Sequence, residues 1–283
     1  MKIVQEAFYL PVEGGQCFAI HRAPGEGDAR ATILHLPALG DEMNKARAMT
    51  ARAARAFAEA GCAVMQVDWL GCGDSSGDHA DGTLSRWSAN AHAAQAWLQN
   101  RHPRCSIHGV WALRAGALLV PALVGEAPDT CIMLWQPLID GAQQLNQLLR
   151  MKAAAALTST ADAPPTKALR AQLRAGATLE IGGYAISPAL AADLESAAFE
   201  IPHGQRGPVA WFEISPSGRQ LSAAAAKCID GLRNSGLHVY TSTVAGPSFW
   251  QSVEIERCDE LITQSTATLA EMLSEPSRTP AVL

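Results

Sequence analysis

The sequence predicts an α/β fold with a mostly parallel central sheet, helices on both faces and a helical insertion late in the chain. Three observations predict it. Short apolar runs alternate with longer stretches of helical periodicity, as in chains that lay helices against a parallel sheet. The alternation is interrupted once, where the composition turns rich in Ala, Gln and Leu, and then resumes. The chain has 283 residues, of which 48% are hydrophobic and 17% charged. That is enough to bury one substantial core.

The elements follow in order. Ala7–Pro11 and Gln16–His21 flank Glu13-Gly14-Gly15 and read as an antiparallel hairpin. Ala31–Leu36 (ATILHL) is the next strand, followed by an amphipathic helix from about Met43 to Ala60 that Gly61 ends. Ala63–Trp69 runs as a strand into the glycine-rich Gly71-Cys72-Gly73-Asp74-Ser75-Ser76-Gly77. Thr83–Gln99 reads as a helix, Ser106–Leu113 as a strand, Ala115–Val124 as a short helix and Cys131–Gln136 as a strand. Residues 142–205 form the expected helical cap insertion, with a flexible polar break at Ser159–Lys167 that contains Pro164-Pro165. The core is thus expected to comprise residues 1–141 and 206–283. It resumes with a strand at Pro208–Ile214, a helix at Leu221–Asn234, a strand at Leu237–Thr243 and a last helix at Glu254–Leu273. Ser274–Leu283 reads as a loose tail.

Composition excludes several roles. The net charge is −5 and no basic stripe marks a nucleic-acid footprint. No run of about 18 apolar residues offers a membrane span, and the N-terminus lacks the apolar stretch of a signal peptide. The seven cysteines form no CxxC pair, which fits buried, reduced thiols in a cytoplasmic protein. His79, His92, His102, His108 and His203 share no ligand spacing, so neither a metal nor a cofactor is expected.

Four landmarks fall in the order of an α/β-hydrolase. They are His35-Leu36-Pro37 after a strand, Asp68-Trp69-Leu70-Gly71-Cys72-Gly73-Asp74-Ser75, the strand–turn–helix Trp111-Ala112-Leu113-Arg114-Ala115-Gly116, and the helical insertion. The chain more closely resembles the exosortase A system-associated hydrolase 2 family. The segments that carry the likeness are HLPALGDEMNKARAM (35–49), VDWLGCGDSSG (67–77), WALRAGALL (111–119), LWQPLIDG (134–141), LEIGGYAIS (179–187) and VAGPSFWQSVEIE (244–256). The resemblance implies an α/β-hydrolase fold and a context of bacterial exopolysaccharide and PEP-CTERM protein sorting, with proteins of those systems as partners.

The residues themselves argue against serine-hydrolase chemistry. Arg114 stands at the elbow position, and a permanently charged guanidinium is no nucleophile. The loop after the last strand, Val244–Trp250, has no histidine; the last one, His238, precedes that strand. The acid loop Ser215–Arg219 has no carboxylate, Glu213 in the strand being the nearest. Of the oxyanion-region residues Pro37, Ala38 and Ala115, Pro37 has no N–H to donate.

Two readings of Arg114 stand side by side. In one, Arg114 with the N–H groups of Ala115 and Gly116 holds an anionic ligand under the cap. In the other, it pairs with an internal carboxylate, Asp68, Asp74, Glu42 or Glu254. Glu42, Asn44, Trp250 and Glu254 are expected at the pocket mouth, and His35 is expected to be bonded beneath the elbow. Asp74 and Ser75 should brace their loop, and Cys72 reads as a plain loop cysteine. Glu254 and Asp68 are the candidate acid/base residues. Three functions follow: a non-catalytic binder of an anionic small molecule or an acyl or glycosyl derivative, an enzyme of non-serine chemistry, or an interaction scaffold.

Overall fold

A computed structural model describes residues 2–159, 164–218 and 220–274. Residues 160–163 of the polar break, Arg219 and residues 275–283 of the expected tail therefore lie outside the described residues. Ten strands and eight α-helices are described. The hairpin extends further than its apolar runs, as β1 (Ile3–Val12) and β2 (Gly15–Pro24). Then come β3 (Ala31–Leu36), α1 (Asp41–Glu59), β4 (Cys62–Val67), α2 (Leu84–Arg101) and β5 (His108–Leu113). A 3-10 turn at Arg114–Leu119 leads into the short α3 (Val120–Val124), so the helix expected at 115–124 is split in type. Strand β6 (Cys131–Trp135) follows.

The insertion holds α4 (Gly141–Ser159), α5 (Thr166–Arg174) and α6 (Pro188–Ser196). It also holds a two-stranded ribbon of β7 (Leu179–Ile181) and β8 (Tyr184–Ile186). The expected all-helical cap missed this ribbon. Its turn is Gly182-Gly183, both at positive φ, the backbone that a two-residue hairpin needs. The core then closes with β9 (Val209–Ser215), α7 (Ala223–Asn234), β10 (Val239–Ala245) and α8 (Asp259–Met272).

The main sheet has strand order β1-β2-β4-β3-β5-β6-β9-β10, parallel from β4 onward and antiparallel across the first two pairings. Period-two alternation gives each central strand two buried faces. On one, Leu34, Val110, Ile132 and Leu134 meet the cluster that includes Trp87 of α2 and Leu123 of α3. On the other, Ile33, Trp111, Met133 and Trp135 meet Phe57 of α1 and Leu261 of α8. Both faces being apolar, the strands read as continuous hydrophobic runs, and the C-terminal ends of β3 to β6 share one edge where loops assemble a site.

The last helix begins five residues later than expected. Glu254 is exposed in an irregular loop, and Asp259 and Glu260 supply the acidic first turn. The seven cysteines are free; six are buried and Cys228 is half-buried. Among the described residues, no helix is long and apolar enough to cross a membrane.

Candidate functional site

The turn after β5 is the sharpest point of the sheet edge. Arg114 has φ 53°, and Gln136, just past β6, has φ 43°. They are the two non-glycine residues at positive φ among those described. Such backbone costs of order 1–3 kcal/mol per residue and persists where its surroundings enforce it. Here the two turns are tied together. Leu138 N–H donates to Arg114 O at 3.1 Å, Gln136 N–H donates to Phe212 O at 2.7 Å, and the Gln136 side-chain Oε1 accepts from Ile214 N–H. Gly116 lets the turn settle against β3: a Cβ there would lie 2.2 Å from Leu36 O.

The Arg114 guanidinium is enclosed. Its Nε and Nη2 donate to the two carboxylate oxygens of Glu42 at 3.2 and 3.3 Å, and Nη1 points to Gln136 O at 3.5 Å. Its Cζ lies 5.3 Å from the centre of the Trp250 ring, a cation–π contact. The side chains of Arg114 and Glu42 are 9% and 12% exposed, so this ion pair is largely desolvated. Gln251 Nε2 reaches the same carboxylate at 3.5 Å. Of the four carboxylates considered for Arg114, Glu42 is the one that meets it. α1 makes this possible, because Glu42 lies in its first turn, directly after the loop that leaves β3.

The other expected residues separate into groups. Arg114, Glu42 and Trp250 come together; Ala115 and Gly116 sit buried below them. Asn44 is exposed and turns away, its Nδ2 donating to Tyr184 Oη in the cap ribbon. Asp68 is buried beside Arg47, whose Nη2 donates to Asp68 Oδ2 at 2.9 Å, and Asp74 N–H donates to the same oxygen at 3.1 Å. Ser75 braces its loop by accepting from Phe18 N–H at 2.8 Å and donating to Asp68 O. Glu213 serves α7: it accepts from Ser222 N–H at 2.6 Å and Ser222 Oγ at 2.8 Å, while Ser222 Oγ caps the helix by accepting from Ala225 N–H.

His35 departs from expectation. It is buried against Trp111, ring centres 4.3 Å apart, and its Nε2 has no hydrogen-bond partner. Burial, with a further push from Arg47, lowers its pKa to about 3, so the ring is neutral. Cys72 is buried too, and burial pushes its thiol up to about 12, next to Asp68 and Cys17, which raise it further. A thiol held protonated is no nucleophile.

The space left confirms how full the elbow is. Between Pro37, Ala38, Met43, Cys72, Ala115 and Gly116 the cavity is about 20 Å³. That is near the size of one water site. A larger cleft of about 330 Å³ opens above Glu42, lined by Asp41, Lys45, Gln144, Gln147, Trp250 and Gln251 among others. Gln144 and Trp250 are buried, and among the described residues Gln144 Oε1 and Trp250 Nε1 have no hydrogen-bond partner. Sequence reasoning missed Gln136, Gln144 and Gln251. An apolar-strand pattern carries no sign of a positive-φ glutamine, and an amide on a cap helix looks like any surface residue.

No protein-family model and no curated protein matches the chain. Solved structures do. Est1E from Butyrivibrio proteoclasticus, bound to ferulic acid, superposes with a TM-score of 0.66 at 13% identity, over 95% of this chain and 100% of that one. A carboxyl esterase from Bacillus coagulans gives 0.61 at 11% identity, over 96% and 99%. An α/β serine hydrolase without lid from Xanthomonas campestris gives 0.56 at 13% identity, over 99% and 97%. The chain has the α/β-hydrolase fold.

Proposed function

We propose that this chain is a non-hydrolytic member of the α/β-hydrolase fold that binds a small molecule in the cleft over Glu42, under the cap. One observation carries the reading: the elbow apex is a buried arginine clamped by Glu42, Gln136 and Trp250. An acyl-transfer site needs a nucleophile there, a base beside it, and room for a tetrahedral oxyanion about 3 Å from two donors. The apex offers a guanidinium, the region below it holds about 20 Å³, and Pro37 cannot donate.

The ligand we favour is a glycosyl derivative. An anion on Arg114 has to displace Glu42, whereas a hydroxyl-bearing ligand meets the cleft as it stands. Lys45, Gln147 and Gln251 line the cleft, and their amide and amino groups can donate to or, for the amides, accept from ligand hydroxyls. The exosortase and exopolysaccharide context implied by the sequence resemblance provides such compounds, and we place the protein in the cytoplasm because its seven cysteines form no CxxC pair and read as reduced thiols. Enzymatic use of Asp68 or Glu254 gains no support, because Asp68 is engaged by Arg47 and Glu254 stands exposed outside the cleft.

The test is direct. The purified chain is expected to resist labelling by a fluorophosphonate probe and to leave a panel of p-nitrophenyl esters unhydrolysed. Arg114→Ser is expected to stay inactive, because the base is absent as well. Labelling of one serine with matching ester turnover overturns the reading.

A further inference from the structure

A second cavity, of about 160 Å³, lies between α1 and the sheet, away from the Arg114–Glu42 pair. Period-two geometry explains which side chains reach it. Phe18, Ile20 and Arg22 alternate along β2 and share one face, and the register sets Ile20 beside Gln66 of β4 and Gln66 beside His35 of β3. Met43, Ala46, Arg47 and Thr50 of α1 cover that face at helical spacing. Arg22 lies toward one end of this row; Asp68, with its partner Arg47, lies toward the other.

Arg22 is the anomaly. It is 6% exposed, as buried as Arg114, yet no Asp or Glu among the described residues pairs with it. Its Nε donates to Gln5 Oε1 at 2.8 Å and its Nη1 to Gln66 Oε1 at 2.5 Å, both neutral amides. Burial presses its pKa down, and the neighbouring Arg55 guanidinium adds to that pressure. A buried cation is ordinarily paired, because leaving it alone in a low-dielectric site is costly. Arg114 meets that requirement inside the chain. Arg22 does not, and it lines an open space.

We propose that this cavity binds a small organic carboxylate, with the carboxylate on Arg22. The remaining walls select the class. Phe18, Ile20, Pro37, Ala38, Met43 and Leu113 are apolar and suit a hydrocarbon body, whereas inorganic phosphate or sulfate would leave them unmatched. The volume sets the size: a cavity of about 150 Å³ accepts a molecule such as benzene, so the ligand has roughly six to nine heavy atoms. Thr50 stands on the α1 side, its hydroxyl donating to Arg47 O at 3.2 Å and so keeping its oxygen free to accept only. That acceptor can meet an amide N–H but not a carboxylate oxygen, so the preference for an acid over its neutral amide rests on the Arg22 guanidinium.

Titration calorimetry of the full chain with butyrate and benzoate tests this, against butyramide, benzamide and inorganic phosphate. Both carboxylates are expected to bind, the amides and phosphate about tenfold or more weakly. Arg22→Gln is expected to lose the same factor, while the exposed-surface substitution Arg104→Gln leaves binding unchanged. Should Arg22→Gln not fold, Ala46→Met fills the cavity while keeping the arginine, and is expected to abolish binding. Three results overturn the proposal: no heat from either carboxylate, equal binding of acid and amide, or loss of binding in Arg114→Gln with Arg22→Gln unaffected. The third result would move the site to the Arg114 pair; whether the chain has serine-hydrolase activity is read separately, by the fluorophosphonate test.

Discussion

At the scale of single residues, the two buried arginines show how context decides what a charge does. Arg114 has its counter-charge, so removing either partner strands the other. Glu42→Gln or Arg114→Ala is expected to destabilise the fold by about 3 kcal/mol, read from urea unfolding midpoints. The double variant Arg114→Ala with Glu42→Gln is expected to cost less than the two single changes together; simple additivity would show that the pair is not coupled.

His35 adds a pH dependence. Its ordinary pKa of 6.5 is lowered to about 3 in the folded chain. Above pH 6.5 neither folded nor unfolded chain carries this proton, so the histidine has no effect on stability there. As pH falls from about 6.5 toward 3, only the unfolded chain takes the proton, and stability is lost. His21, lowered to about 4 by burial and by His102 beside it, acts in the same direction. Denaturant titrations between pH 7 and 4 are expected to show falling stability, and His35→Phe to flatten part of that slope.

At the scale of elements, caps and turns carry most of the local specification. Ser222 begins α7 by holding Ala225 N–H while its own N–H and hydroxyl are held by Glu213. Ser222→Ala is expected to cost about 1–2 kcal/mol, the loss of one cap plus a partner for a buried carboxylate. An unchanged thermal midpoint would contradict that account. Apolar runs foretold nearly every strand, and glycine or capping residues the helix ends to within a few positions. The misses have particular causes. The cap ribbon β7–β8 is three residues a side, too short for a periodic signal, though Gly182-Gly183 was a readable turn. The loop before α8 contains Val253 and Ile255, 93% and 75% exposed, whose apolar character mimics the start of a helix. Arg22 was missed because β2 seemed to end at His21; continuing the alternation from Phe18 and Ile20 by one step places it on the inner face.

At the scale of the whole molecule, the α/β-hydrolase fold carries a buried arginine at the sharp turn that ends β5. The turn at Arg114 has positive φ, and Gly116 approaches β3 closely. The sequence by itself determined the α/β class, the order of the landmarks and which residue stands at each of them, Arg114 included, because those depend on local periodicity and on which residue types are present. Only the tertiary structure decided which carboxylate meets Arg114 and that Arg22 meets none among the described residues. Glu42 and Gln136 lie 72 and 22 residues from Arg114, and the folding of α1 and β6 around one sheet edge joins them. Whether a buried charge is compensated is a question of distance in space, and sequence spacing carries no measure of that.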